Sequence, residues 1–515
     1  MSWPEHVTAA LLGTQRRVVP ELAGARACGT PGHDSADAGD AAGRLLDQAA
    51  LLTVRRRAGR TAGTAEPIAP APAETSEEVS GAAAARLARM LAGQHVRALP
   101  EWLQAAAERD RRVPARLLPG LLERGRSDRM LRAHIAKAAG RRGLWLALQN
   151  PDWAYLATED MPAEGPDVWE TGTRGQRIAH LGRLRAADPE AARRALRETW
   201  AREPAADRVA LLATFQEGLS GADEEFLEET LDDRAKDVRA GAADLLSMLP
   251  ASAYGGRMAG RARDCLRPER RTVRGRAQTW IIAEPPADLD EATRRDGVPF
   301  HAAGSFVPGN GGRSGPVGTR AGWLREIVAR TPLDTWTGLF GGNPMEVVCL
   351  PIADDFARDV HLGWARAAVR QRDAAWARAI LKGGVVVEEA EALADLLTVL
   401  PDGERDSAAA DLARWVKDYP DLLRVLDRIP GPWTGELAEA VLAALAGALT
   451  RGAEGMPPHT QQYGLAQLCK LSDERLTPAA VPRLDELTRR HGDNWPLSEL
   501  TETLRFRHEM LQELL

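Results

Sequence analysis

Apolar side chains recur every three or four positions through most of the chain, and this spacing limits its fold more than any other feature. Between positions 207 and 250, three such runs follow one another with connections of only a few residues. The period matches one face of an α-helix. Short connections force neighbouring helices to pack antiparallel. The pattern therefore predicts an all-α protein built from stacked antiparallel helix pairs.

The length of the chain, 515 residues, excludes one compact core. A single hydrophobic core stops growing at roughly 250–300 residues. We therefore expect either several domains or one elongated array. No stretch alternates convincingly as a strand, and the only β-like runs, Ile281-Ile282 and Val385-Val386-Val387, are short.

One segment resembles a known repeat. The string Asp233-x4-Val238-Arg239-x2-Ala242-Ala243-x-Leu245-Leu246-x2-Leu249 is similar to the second half of a HEAT repeat. The resemblance implies that Asp233 ends the turn between paired helices, that Arg239 reaches back to an aspartate, and that Val238 lies on the inner face. It implies a structural role for all three residues, with partner binding as the alternative, and a HEAT-like α-solenoid as the fold.

The resemblance and the breaks in the helical pattern divide the chain into five predicted segments. They are the N-terminal helices (1–60), a flexible linker rich in proline and acidic residues (61–80), a HEAT-like helical array (81–282), a long central loop rich in glycine and proline (283–322), and a C-terminal helical array (323–515).

No motif of catalysis or of metal or cofactor binding is found. The four cysteines, Cys28, Cys265, Cys349 and Cys469, are isolated, and no HExxH pair occurs. The glycines at 309–315 lack the lysine and the preceding strand of a phosphate-binding loop. We therefore predict no catalytic, cofactor or metal residues. The cysteines, the lack of a signal peptide and the lack of a membrane span predict a cytoplasmic protein.

Four tryptophans are the candidates for partner binding. Trp145, Trp153, Trp364 and Trp376 fit helix–helix packing, but exposed tryptophan also dominates the energetics of protein interfaces. Both interpretations stay open for these residues.

The order of short motifs along the chain resembles an uncharacterised bacterial family. These motifs are Ala9-x-Leu11-Leu12-Gly13-Thr14, Leu117-Leu118-Pro119-x2-Leu122, Gly143-Leu144-Trp145-Leu146, Asn150-Pro151-x-Trp153 and the HEAT-like segment. In that family the genes tend to neighbour those of a MoxR-type AAA+ ATPase, a von Willebrand A-domain protein and a SWIM zinc-finger protein. The resemblance implies a component of an ATPase-linked assembly and supplies no catalytic residues.

Two functions follow as expectations. The first is a non-enzymatic scaffold or adaptor that binds protein partners, among them a MoxR-type ATPase and a von Willebrand A-domain protein. The second is a HEAT-like nucleic-acid-binding or glycosylase-like DNA-repair protein. The arginine runs at 55–57, 111–112, 141–142, 193–194 and 270–271 would serve it, although the net charge of −6 disfavours it. A continuous arginine stripe would favour nucleic acid, and a mixed or apolar patch would favour protein.

Overall fold

The fold is given by a computed structural model that separates into two units, residues 1–71 and 72–515. The residues it describes are 3–19, 41–58, 68–158, 167–299, 318–353, 355–383, 390–416, 419–450, 458–491 and 494–515. In the first unit, α1 (Trp3–Leu12) packs on α2 (Ala41–Ala58). His6 Nε2 lies 2.8 Å from Gln48 Oε1 between them.

The second unit is mostly helical. Its first helices are α3 (Gly81–Leu91), α4 (Leu99–Glu108), α5 (Leu118–Ser127), α6 (Arg132–Ala138), α7 (Gly140–Gln149), α8 (Tyr155–Thr158), α9 (Asp167–Thr171), α10 (Arg174–Ala187), α11 (Pro189–Thr199), α12 (Ala205–Ala213), α13 (Glu224–Thr230), α14 (Lys236–Leu246), α15 (Ala253–Cys265) and α16 (Glu291–Arg295).

The remaining helices continue the series to the C-terminus. They are α17 (Thr319–Arg330), α18 (Asp334–Phe340), α19 (Pro344–Val348), α20 (Ala357–Gln371), α21 (Ala374–Lys382), α22 (Ala390–Val399), α23 (Asp402–Trp415), α24 (Tyr419–Asp427), α25 (Gly435–Thr450), α26 (Pro458–Arg475), α27 (Val481–His491) and α28 (Trp495–Glu513).

Polar residues at helix starts explain many of the boundaries. The Ser80 hydroxyl accepts a hydrogen bond from the backbone N–H of Ala83, as expected of an N-cap. At the start of α10, Thr173 and Gln176 form a reciprocal capping box. These caps satisfy backbone donors that have no partner within the helix.

The helices after α19 are stacked in two rows. Helices α20, α22, α24, α26 and α28 contact one another in that order, while α23, α25 and α27 form a second series. Several consecutive helices also contact each other across the rows, among them α22 with α23, α23 with α24, α25 with α26 and α27 with α28.

Helix α28 joins two hydrophobic cores. Its first half places Leu497, Leu500 and Leu504 in the core that includes residues 181–484. Its second half places Phe506, Met510 and Leu514 in the core of residues 79–156. The apolar residues of α28 therefore contribute to both cores.

A few strands also occur, and the β-like run Ile281-Ile282 lies in one of them. The longest are β3 (Leu266–Val273) and β4 (Arg276–Ala283), which form an antiparallel hairpin. The outer half of this hairpin is polar on both faces, so no apolar alternation marks it in the sequence. Arg274 and Gly275 form its two-residue turn with φ of 51° and 79°, which suits a tight hairpin.

The other strands are short. β1 (Glu77–Glu78) pairs in parallel with β2 (Arg111–Arg112), and β5 (Ile352–Ala353) pairs in parallel with Ile281-Ile282 of β4.

The described residues of the predicted linker and loop form defined contacts and helices. In the linker, besides the pairing of β1, the carboxylate of Glu74 accepts hydrogen bonds of 2.9 Å from the backbone N–H groups of Arg141 and Arg142 at the start of α7. These contacts stabilise acidic residues that sequence reasoning treated as solvated. The predicted loop 283–322 contains α16 and the start of α17, and its glycines at 309–315 lie outside the described residues.

Candidate protein-binding groove

A large groove lies between α21, α22 and α23. The described residues enclose a volume of about 840 Å³ there. Its lining combines an apolar floor with a charged rim and consists of Arg378, Ile380, Leu381, Lys382, Leu393, Leu400, Gly403, Glu404, Ser407, Ala408, Asp411, Leu412 and Trp415.

Trp415 is the most distinctive residue of the groove. Its relative exposure is 68%, whereas Ile380, Leu393 and Leu412, which also line the groove, are exposed to only 1%, 7% and 8%. A large exposed aromatic ring beside an apolar floor can bury much area at little cost in conformational entropy. The groove can therefore hold an apolar side chain of a partner.

The rim carries both signs of charge. Arg378 donates two hydrogen bonds to Glu404, Nε to Oε2 at 2.7 Å and Nη2 to Oε1 at 3.0 Å. This hydrogen bonding lowers the pKa of Glu404. Asp411 accepts from Arg414 at 2.9 Å. The rim is therefore mixed in charge.

Backbone contacts fix the walls of the groove. The Asp373 carboxylate accepts from the N–H groups of Ala375 and Trp376 and caps α21. Arg405 of α23 donates to the carbonyls of Leu397 and Leu400 at 3.1 and 2.9 Å, at the end of α22. Because these bonds tie α22 to α23 directly, the two helices form a fixed surface.

A network of charged side chains lies among helices α14, α17 and α20. Asp244 of α14 lies 3.0 Å from Arg330 of α17 and 3.4 Å from Arg370 of α20. Glu326 lies 2.9 Å from Arg366. Burial lowers the pKa of Arg370 to about 10, and the like charge of Arg330 adds to this effect. The network links α14, α17 and α20 beside a smaller cavity of about 300 Å³ between α20 and α22.

The four candidate tryptophans fall into two groups. Trp364 and Trp376 are buried at 0% and 2%, with ring centroids 5.5 Å apart in the core. Trp145 and Trp153 are partly exposed, and Trp153 Nε1 lies 3.3 Å from Glu123 Oε2. None of the four lines the groove.

The residues of the HEAT-like turn lie together at the turn between α13 and α14. Val238 is buried. Arg239 donates to the backbone carbonyl of Asp233 at 2.7 Å. The Asp233 carboxylate accepts from Arg208 of α12 at 3.0 Å and from the N–H of Ala235 at 2.8 Å. The aspartate therefore ties the turn to α12, and the arginine of α14 binds the backbone of the turn itself.

Sequence reasoning missed Trp415, although a signal for it exists. The buried residues of α23 are Ala409, Ala410, Leu412 and Ala413. Trp415 is not among them and lies on the side of the helix that, with Ala408 and Asp411, lines the groove. A bulky aromatic residue out of phase with its helix is the pattern that finds this site.

The described residues show little of other kinds of site. Among them, no group of three or more histidine, cysteine, aspartate or glutamate side chains is placed to hold a metal ion. Within the same ranges, no helix is long and apolar enough to cross a membrane.

Comparison with protein families decides the affiliation of the chain. The model of a family of unknown function, DUF5691, matches residues 5–514. The chain belongs to the DUF5691 family. No curated protein matches the chain, and no solved structure matches it. The groove and the charge network of this DUF5691 protein are therefore interpreted from their own geometry.

Proposed function

We propose that this DUF5691 protein is a non-enzymatic scaffold whose groove between α21, α22 and α23 binds an apolar segment of a protein partner. The exposure of Trp415 above a buried apolar floor carries the proposal. Exposed apolar surface rimmed by polar residues is typical of protein interaction sites. Tryptophan is also enriched among the residues that dominate interface energies.

The charges of the rim favour a protein over a polyanion. Glu404 and Asp411 stand beside Arg378 and Lys382, so a phosphate chain would meet repulsion as well as attraction. An amphipathic helix can place its apolar face against the floor of the groove. Its polar side chains can then contact both the positive and the negative residues of the rim. This argues, at the groove, against the alternative of a HEAT-like nucleic-acid-binding or glycosylase-like DNA-repair protein.

The proposal includes a HEAT-like α-solenoid as the frame of the scaffold. Two observations support it: the rows formed by alternate helices from α20 to α28, and the contacts of Asp233 and Arg239 in the turn before α14. Stacked helix pairs expose a long surface suited to extended partners.

The resemblance stated from the sequence makes a MoxR-type AAA+ ATPase and a von Willebrand A-domain protein the first partners to test. The proposal places the protein in the cytoplasm, in keeping with free cysteines at 265, 349 and 469.

The test measures binding of each purified candidate partner to the full-length chain by calorimetry. Trp415→Ala should weaken binding about 30-fold, as truncation of an interface hot spot of about 2 kcal/mol does. Trp495→Ala is the matched control, because Trp495 is exposed to 73% and lies outside the groove. Equal binding by both variants, or no binding by the unaltered chain, would refute the proposal.

A further inference from the structure

The β3–β4 hairpin is a basic element in an acidic chain. From Leu266 to Ala283 it carries five arginines and one glutamate, whereas the whole chain has a net charge of −6. Its base is fixed, because Leu266 and Ile281 are fully buried and β5 pairs with β4 there. The arm beyond the base is mostly exposed.

The arginines lie on both faces of the ribbon and at its tip. Antiparallel partners share a face, so Arg271 lies with Gln278 on one side and Arg270 with Thr279 on the other. Arg274 is in the turn. The arm therefore carries positive charge on both of its faces and at its tip.

Three of these guanidinium groups are available to a ligand. Arg267 lies 2.8 Å from Glu284, and Arg271 lies 2.7 Å from Glu269. The exposed residues Arg270, Arg274 and Arg276 form no ion pair with any residue in the described ranges. Positive groups without a neutralising neighbour attract a polyanion most strongly.

We propose that the β3–β4 hairpin binds the phosphodiester backbone of a double-stranded nucleic acid by inserting into a groove of the duplex. A two-stranded ribbon fits the major groove of B-DNA, which is about 12 Å wide and about 8.5 Å deep. With about six residues per strand beyond the base, the arm reaches roughly 20 Å. Phosphates border such a groove on both sides, which matches arginines on both faces.

A flat acidic protein surface fits this arm less well. It would neutralise one face of the ribbon and leave the arginines of the other face in solvent. Thr272, Gln278 and Thr279 add neutral hydrogen-bonding groups along the same arm, suited to base edges or sugars. The inference is independent of the protein-binding groove.

The experiment measures the affinity of the full-length chain for a duplex DNA of about 20 base pairs at several salt concentrations. The test variant is R270A/R274A/R276A. The matched control is R124A/R183A/R234A, which removes the same charge from exposed positions on α5, α10 and the turn before α14. Circular dichroism confirms that both variants fold. Single-stranded DNA, duplex RNA and polyglutamate are parallel ligands.

We expect the hairpin variant to bind the duplex at least 10-fold more weakly. For this variant, the slope of log affinity plotted against log salt concentration should be smaller in magnitude by about 2–3, because roughly one counterion is released for each phosphate neutralised. The control variant and Trp415→Ala should bind as the unaltered chain does. Tighter binding of duplex RNA than of duplex DNA would contradict insertion of the ribbon into a major groove, because that groove is deep and narrow in A-form RNA. Absence of duplex binding at low salt, equal loss in both triple variants, or equally tight binding of single strands or polyglutamate would overturn the proposal.

Discussion

The guanidinium of Arg86 donates two hydrogen bonds of 2.6 Å to the carboxylate of Glu513, 427 positions later in the chain. The Arg86 side chain is only 7% exposed, and it also stacks 4.6 Å from the ring centroid of Phe506. Hydrogen bonding to Glu513 raises the pKa of Arg86. This pair holds the first helices of the 72–515 unit against its last helix.

Removal of the Glu513 charge should destabilise that junction. Glu513→Gln leaves a nearly buried guanidinium without its main partner, so we expect a loss of roughly 1.5–3 kcal/mol in the free energy of unfolding. Urea denaturation followed by circular dichroism measures it. Glu509→Ala is the control, because Glu509 is 62% exposed and such pairs contribute about 1 kcal/mol or less. Equal losses in the two variants would show that the Arg86–Glu513 contact is not what holds α28.

The two charged residues of the HEAT-like turn should differ in their contribution to stability. Asp233→Ala removes the partner of Arg208, whose side chain is 5% exposed, and should cost about 3 kcal/mol. Arg239→Ala removes hydrogen bonds to two backbone carbonyls at a more solvent-exposed position. It should lower the free energy of unfolding by about 1 kcal/mol. Chemical denaturation of both variants tests the order, and a larger loss for Arg239→Ala would contradict it.

His361 should make stability depend on pH. Burial lowers the pKa of His361 to about 4 from an ordinary value of 6.5, while a hydrogen bond with the backbone of Val348 acts in the opposite direction. A lowered histidine pKa means that the unfolded chain takes up a proton first as the pH falls. The contribution of His361 is therefore complete above about pH 6.5 and is lost between 6.5 and 4.

Comparison with a variant isolates this effect from other groups. His361→Phe keeps an aromatic ring beside Trp364, 5.5 Å away between centroids, and cannot titrate. Between pH 7.5 and pH 5, the unaltered chain should lose up to about 2 kcal/mol more than the variant. Parallel pH profiles of unfolding free energy for the two proteins would show that His361 does not titrate as described.

Two tryptophans should separate folding from binding. Trp364→Ala opens a cavity in the core and should cost about 3–5 kcal/mol in unfolding free energy. Trp415→Ala, at an exposed position, should change it by less than about 0.5 kcal/mol. Thermal unfolding of the two variants gives the comparison. A large loss for Trp415→Ala would mean that Trp415 serves the fold rather than a partner.

The helices could be predicted from local sequence patterns, because they depend on the periodicity of apolar residues. The helices of the 207–250 segment follow from neighbouring residues alone, and the structure shows them. The full-length affiliation with an uncharacterised family was also predicted and is confirmed.

Features set by distant contacts could not be predicted. The pairing of Arg86 with Glu513 joins positions that no local pattern connects. The β3–β4 hairpin was missed because its exposed arm has no apolar alternation, and only Arg274-Gly275 marks its turn. Trp364 and Trp376 could be placed only by the structure, since a tryptophan in a helix suits both a core and a groove.

Site-specific cross-linking at position 415 tests the central claim most directly. A photoreactive phenylalanine analogue replaces Trp415 in the full-length chain, or Trp495 in the control, and each protein is irradiated with the purified MoxR-type ATPase or von Willebrand A-domain protein. We predict covalent attachment from position 415 to an apolar segment of a partner and none from position 495. Cross-links from position 495 alone, or from neither position, would contradict a partner-binding groove between α21, α22 and α23.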